Sequence, residues 1–83
     1  MKLLYFAWVR QKVGKSEEEL TLPLEVTDVS GLIAFLAGRG PGYAEAFKNP
    51  SSLRCAINQE HSRFDTGIAD EDEVAFFPPV TGG

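Results

Sequence analysis

The residues best suited to take part in a reaction are the last two, Gly82 and Gly83, which follow Phe76-Phe77-Pro78-Pro79-Val80-Thr81. A terminal glycine offers a free carboxylate with no side chain beside it. It can therefore enter a slot too narrow for any Cβ and leave its carbonyl carbon open to attack. A carboxylate is a poor electrophile until it is joined to a good leaving group, after which a nucleophile can attack the activated carbon. Gly83 is the candidate reactive residue, and Gly82 keeps the access to it open. Pro78 and Pro79 restrict the chain to extended backbone and cannot donate to a sheet ladder. The last strand should end near Phe77 and project Pro78, Pro79, Val80 and Thr81 as a stiff stalk. A Gly-Gly end taken alone is a weak signal, because many chains finish in frayed glycines. The aromatic and Pro-Pro run in front of it gives it weight.

Nothing else in the chain supplies the apparatus for that activation. There is no glycine-rich phosphate loop with its lysine and no convincing nucleophile-base pair. His61 lies in a polar turn without metal-ligand companions and reads as a surface residue at an interface rim. Cys55 shares a strand face with Leu53 and Ile57 and reads as a buried, inert thiol, because apolar burial raises a thiol pKa. The run Asp70-Glu71-Asp72-Glu73 reads as a solvated turn, with the steering of a basic partner as the alternative. Arg10 is either an ordinary surface charge or a pairing group for a partner carboxylate. Catalysis must sit in partners, and the chain is expected to bind no metal, nucleotide or other cofactor of its own.

At 83 residues the chain is one domain, near the lower size at which a core holds without disulfides or metal. A hydrophobic content of 43% is ample for that core. The net charge of -4, with basic residues scattered rather than clustered, leaves no positive face for a phosphate backbone, so nucleic acid is a poor partner. The single cysteine fits a reducing compartment. Leu3 to Val9 is too short for a membrane span and lacks the exit of a signal peptide. The expected location is the cytoplasm, with no membrane partner.

Lys2 to Val9 is rich in β-formers and predicts a strand, followed by a turn at Gly14. Leu20, Leu22 and Leu24 alternate with Thr21 and Pro23 and predict a second strand, which completes an amino-terminal hairpin. Val29, Leu32, Ile33 and Leu36 at helical spacing predict the one strong helix, capped by Thr27 or Asp28 and ended by Gly38 or Gly40. Pro41 to Phe47 predicts a shorter helix closed by Asn49-Pro50. Leu53, Cys55 and Ile57 form a third strand, Phe64 anchors a short segment, and Val74 to Phe77 is the last strand. This order in so short a chain favours an α+β roll, with a mixed sheet packed by one face on one main helix. That is the β-grasp, or ubiquitin-like, arrangement, with residues 1–77 as the body and 78–83 as a flexible tail.

The first strand carries more apolar surface than one helix can cover: Leu3, Tyr5, Ala7 and Val9 on one face, and Leu4, Phe6 and Trp8 on the other. The last strand repeats this with Val74 and Phe76 against Ala75 and Phe77. If the two strands are neighbours, the second face carries an aromatic patch of Phe6 and Phe77, with Trp8 next along the strand. Such a patch marks a protein interface.

The segment from Asp72 to Gly83 resembles the carboxyl end of the small, sulfur-carrier subunit of molybdopterin synthase. Leu3-Leu4-Tyr5-Phe6-Ala7-Trp8-Val9-Arg10 is similar to that family's first strand, and Ile57-Asn58-Gln59 to its third strand and turn. The resemblance departs at Glu71, where the family commonly has glycine, which predicts a strained or altered turn. What it implies is a terminal glycine adenylated by a ubiquitin-activating-like enzyme using ATP, then converted to a thiocarboxylate by a sulfur donor protein. It also implies insertion of the tail into a large synthase subunit, two copies of each chain assembling, where two sulfurs build the dithiolene of molybdopterin. Three rivals share the observations. A sulfur carrier of the thiamine pathway has the same fold and Gly-Gly end, a ubiquitin-like modifier would acylate lysines through the same glycine, and an interaction domain would leave the tail inert.

Overall fold

The structure, a computed structural model, describes residues 1–79. Its five strands are β1 (Lys2–Tyr5), β2 (Glu17–Glu19), β3 (Arg54–Ile57), β4 (Glu60–Ser62) and β5 (Glu73–Phe77). They form one sheet in the order β2-β1-β5-β3-β4. The central pair, β1 and β5, is parallel and every other pair is antiparallel. Three helices, α1 (Ala7–Val13), α2 (Val29–Ala37) and α3 (Pro41–Phe47), and a 3₁₀ turn at Pro50–Ser52 complete the elements of the described residues. This is the β-grasp arrangement expected, and β5, which carries the tail, lies at its centre.

Strand alternation builds the core. Leu3, Tyr5, Cys55, Val74 and Phe76 turn to one face and are buried, and α2 lays Val29, Leu32, Ile33 and Leu36 against them. Phe47 from α3 meets Phe76 edge to face at 5.0 Å and Tyr5 at 6.4 Å. The Asp28 carboxylate accepts the Gly31 N–H at 2.8 Å and starts α2, and Gly38 ends it. Pro41 opens α3, where its missing N–H costs nothing.

Two expectations at the amino end need correction. The first strand does not run to Val9. Its ladder stops at Tyr5, Phe6 gives its N–H to the Phe76 carbonyl at 3.1 Å, and Ala7, with φ of 52°, turns the chain into α1. β5 ends at Phe77 and β2 pairs only as far as Leu4, so further extended residues would find no ladder partner. A helix satisfies that backbone internally, buries Val9 and packs Trp8 and Val13 on the core. Gly14 closes it in the left-handed conformation, φ 91°. Trp8 therefore leaves the aromatic patch. The second strand is Glu17–Glu19 rather than Leu20 to Leu24. Leu20 and Leu22 do pack on the core, but Pro23 starts a turn closed by the Val26 N–H at 3.0 Å, which leaves Leu24 97% exposed.

Gly42 sits where α3 crosses α1. A Cβ there would lie 2.4 Å from the Lys12 carbonyl oxygen, a backbone atom that moves only with its helix. Overpacking of this kind costs about 1–3 kcal/mol, more than the ~1 kcal/mol that alanine gains over glycine in a helix. Gly42→Ala should therefore lower the urea midpoint, and an unchanged midpoint would show that the two helices part freely.

The register of β2 turns Glu18 inward, opposite Leu3. Its side chain is only 9% exposed. It accepts from the Tyr5 hydroxyl at 2.8 Å, the Tyr43 hydroxyl at 2.7 Å and the Arg39 guanidinium at 3.0 Å, which ties β2 to β1, α3 and the end of α2. Burial pushes the Glu18 carboxyl up, but the bonds from Tyr43, Tyr5 and Arg39 outweigh it and hold the pKa below the usual glutamate value. Burial, and then Glu18 itself, pushes the Tyr5 hydroxyl upward, so it remains a donor. A folded-state pKa below the unfolded one contributes stability above the ordinary carboxylate range, and that contribution is lost as pH falls through the folded value. Glu18→Gln should cost about 1–3 kcal/mol at pH 7. It should also flatten the loss of stability below about pH 4.5, the ordinary glutamate range. Parallel stability-pH curves for the two proteins, followed by circular dichroism, would refute this role.

Candidate functional site

The face of the sheet turned away from the helices can be read from the register, row by row. In the first row Lys2 stands between Glu19 and Glu73. In the second, Glu17, Leu4, Ala75, Ala56 and His61 cross all five strands. In the third, Phe77 stands beside Arg54, and Phe6 follows one step past the pairing of Tyr5 with Phe76. The face thus grades from charged at one end, through a shallow apolar floor, to aromatic at the end where β5 gives way to Pro78. Ala56 and Ala75 are each 9% exposed and form the floor; Leu4, Phe77, Pro78 and Pro79 are half-buried and Phe6 is 49% exposed.

Phe6, just past the end of β1, and Phe77, the last residue of β5, are brought to the same end of the sheet, as expected. His61 is exposed at the rim, and its ring meets the Phe77 ring edge to face at 5.3 Å. Arg54 was not singled out in the sequence, because only the pairing of β3 with β5 puts it beside Phe77. Val80, Thr81, Gly82 and Gly83 lie outside the described residues.

Cys55 is buried, burial pushes its thiol pKa up, and its S–H donates to the Ser62 carbonyl at 3.3 Å, which matches an inert thiol. The acidic run is more than a solvated turn. Asp70 accepts from the Leu22 N–H at 2.7 Å and from the Met1 ammonium at 3.3 Å, and these hold its carboxyl below the usual aspartate value. Asp72 accepts from the Ala69 N–H at 2.8 Å and from the Asn58 amide at 3.0 Å. These bonds join the approach to β5 to the start of β1 and to the β3–β4 turn. Glu71 shows no left-handed backbone; the non-glycine residues with positive φ among those described are Ala7, Asn58 and Gln59. A cleft of about 260 Å³ opens on the helical side among Ile33, Ala34, Phe47 and Phe64, with Ser30 and Lys48 as its polar groups. It holds no acid-base pair.

A mixed β-grasp sheet whose central strand β5 ends at the margin of an apolar face defines a ubiquitin-like protein. The sequence profile of the ThiS family matches residues 3–83, and the chain belongs to that family. It is 40% identical over 83 residues to the molybdopterin synthase sulfur carrier subunit of Escherichia coli strain K12, covering 100% of this chain and 99% of that one. Among solved structures it is similar to a candidate molybdopterin converting factor, subunit 1, from Pyrococcus furiosus, at 28% identity and a TM-score of 0.69 over 95% of both chains. It is also similar to the small archaeal modifier protein 1 of Methanosarcina acetivorans, at 27% identity and a TM-score of 0.69, over 99% of this chain and 94% of that one. No described helix is long and apolar enough to cross a membrane.

Proposed function

We propose that this chain is the sulfur carrier of molybdenum cofactor biosynthesis, the small subunit of a molybdopterin synthase, with Gly83 as the residue that carries sulfur. The observation that carries this reading is the full-length likeness to a molybdopterin synthase sulfur carrier subunit. The placement of Phe6 and Phe77 at the root of the tail supports it.

In this reading the Gly83 carboxylate attacks the α-phosphorus of ATP on a partner adenylating enzyme, and pyrophosphate leaves. The outer sulfur of a donor protein's persulfide then attacks the acyl carbon and AMP leaves. A thiol cleaves the resulting acyl disulfide, pairing with the donor's cysteine sulfur as a disulfide, and the thiocarboxylate remains on the carrier. The body docks on the large synthase subunit through Phe6 and Phe77, two copies of each chain assembling. Pro78, Pro79, Val80 and Thr81 span the approach, and Gly82 lets the terminus through to the pterin precursor. ATP is consumed on the adenylating enzyme, and the carrier binds no cofactor itself. The buried, reduced Cys55 fits work in the cytoplasm. Mixed with the large subunit and the cyclic pyranopterin precursor, the thiocarboxylated chain should fall back to its carboxylate mass as dithiolene forms. Retention of its sulfur would overturn the assignment.

The likeness to a small archaeal modifier favours a second reading, in which activated Gly83 acylates lysines of other proteins. Isopeptide-linked adducts in the cell of origin, recovered by affinity capture and mass spectrometry, would be its signature.

A further inference from the structure

The charges around the root of the tail are not balanced by other described residues. Among the described residues, Lys2, Lys12, Lys15, Arg39, Lys48 and Arg63 each have a carboxylate within 4.0 Å. Arg10 and Arg54 have none, in a chain with 12 acidic residues against 8 basic ones. Both exposed arginines belong to the elements that flank the end of β5. Arg54 stands opposite Phe77 across the β3–β5 ladder, and its guanidinium donates to the Leu53 carbonyl at 2.8 Å. Arg10 lies one turn into α1, and its backbone N–H reaches the Phe6 carbonyl at 3.4 Å. The opposite end of the same face carries Glu19 and Glu73 around Lys2.

We infer that Arg10 and Arg54 form a cationic collar at the root of the tail that pairs with carboxylates on the large synthase subunit, beside the opening that receives the tail. This rests on the carrier reading above and adds the chemistry of the partner's surface. Residues 78–83 reach at most about 20 Å when extended, so charges at the root act at the mouth of a channel while the reaction proceeds at its far end. That separation favours partner carboxylates over the phosphates of an adenylate formed on Gly83. A guanidinium matches a carboxylate through paired N–H donors. The contrast between this end and the acidic end fixes one orientation of the sheet face on the partner, and it steers the encounter.

The test measures the dissociation constant of the full chain for its purified large subunit by calorimetry at 50 and 300 mM NaCl. The proteins compared are the wild type, Arg10→Ala, Arg54→Ala, the double variant, Arg54→Lys and Phe77→Ala. Each single alanine should weaken binding about fivefold at 50 mM, the scale of an exposed ion pair. The double variant should lose most of the salt dependence, so that it converges on the wild type at 300 mM. Arg54→Lys should recover part of the loss, which a packing defect at Arg54 would not. A double variant with wild-type affinity and salt dependence, while Phe77→Ala still weakens binding, overturns the collar and leaves the carrier reading standing. Failure of the wild type to bind, or indifference to Phe77→Ala, overturns the docking on which both depend.

Discussion

Deleting Gly83 should abolish thiocarboxylation while the body stays folded. Incubated with its adenylating enzyme, ATP and a sulfur source, the full chain should gain the mass expected for exchange of one terminal oxygen for sulfur, read by intact-protein mass spectrometry. The truncated chain presents its carboxylate about 3.5 Å short of the catalytic centre, one residue of extended backbone. Misplacement by even 1 Å can cost on the order of a hundredfold in rate. Gly82→Val should fail as well, because a β-branched side chain would have to enter the slot that the terminus needs. Neither change touches the buried set around Leu3, Tyr5 and Phe76, so thermal unfolding should match the wild type. Wild-type thiocarboxylation of the truncated chain would assign the tail no chemical role, and full-length protein recovered only as lysine adducts would make the chain a modifier.

Phe77→Ala should weaken the complex with the large synthase subunit by about 2 kcal/mol or more, roughly thirtyfold, since aromatic anchors dominate interfaces of this kind. Its neighbour supplies the control. Phe76 is fully buried against Phe47, and truncating it should cost about 3–5 kcal/mol of folding stability. Phe77 is half-buried and packs on His61 alone among the described aromatic rings, so its loss should move the melting temperature little. Two adjacent phenylalanines on opposite faces of β5 should thus report separately on docking and on folding. Phe6→Asp should act like Phe77→Ala by placing a charge in the same patch. Wild-type affinity in both patch variants would remove Phe6 and Phe77 from the interface.

Local pattern was enough for α2, because Val29, Leu32, Ile33 and Leu36 recur at helical spacing between a capping Asp28 and Gly38, and each of those signals acts within a turn or two of chain. Pro41 with the apolar positions of α3, and the alternation of Leu53, Cys55 and Ile57, were legible for the same reason. So were the two opposed apolar faces of β5 and its end at Phe77, since Pro78 and Pro79 limit their own backbone and cannot donate to a ladder whatever surrounds them. Tertiary structure decided the rest. Whether the residues after Tyr5 remain a strand depends on a ladder partner, and β5 has none to offer beyond Phe77, so β-formers such as Trp8 and Val9 became helix. The inward turn of Glu18, the bonds that tie Asp70 to Met1 and Leu22, and the neighbourhood of Arg54 and Phe77 all arise from pairings between residues far apart in the chain. Their energies exist only once the sheet has closed, and no local propensity encodes them.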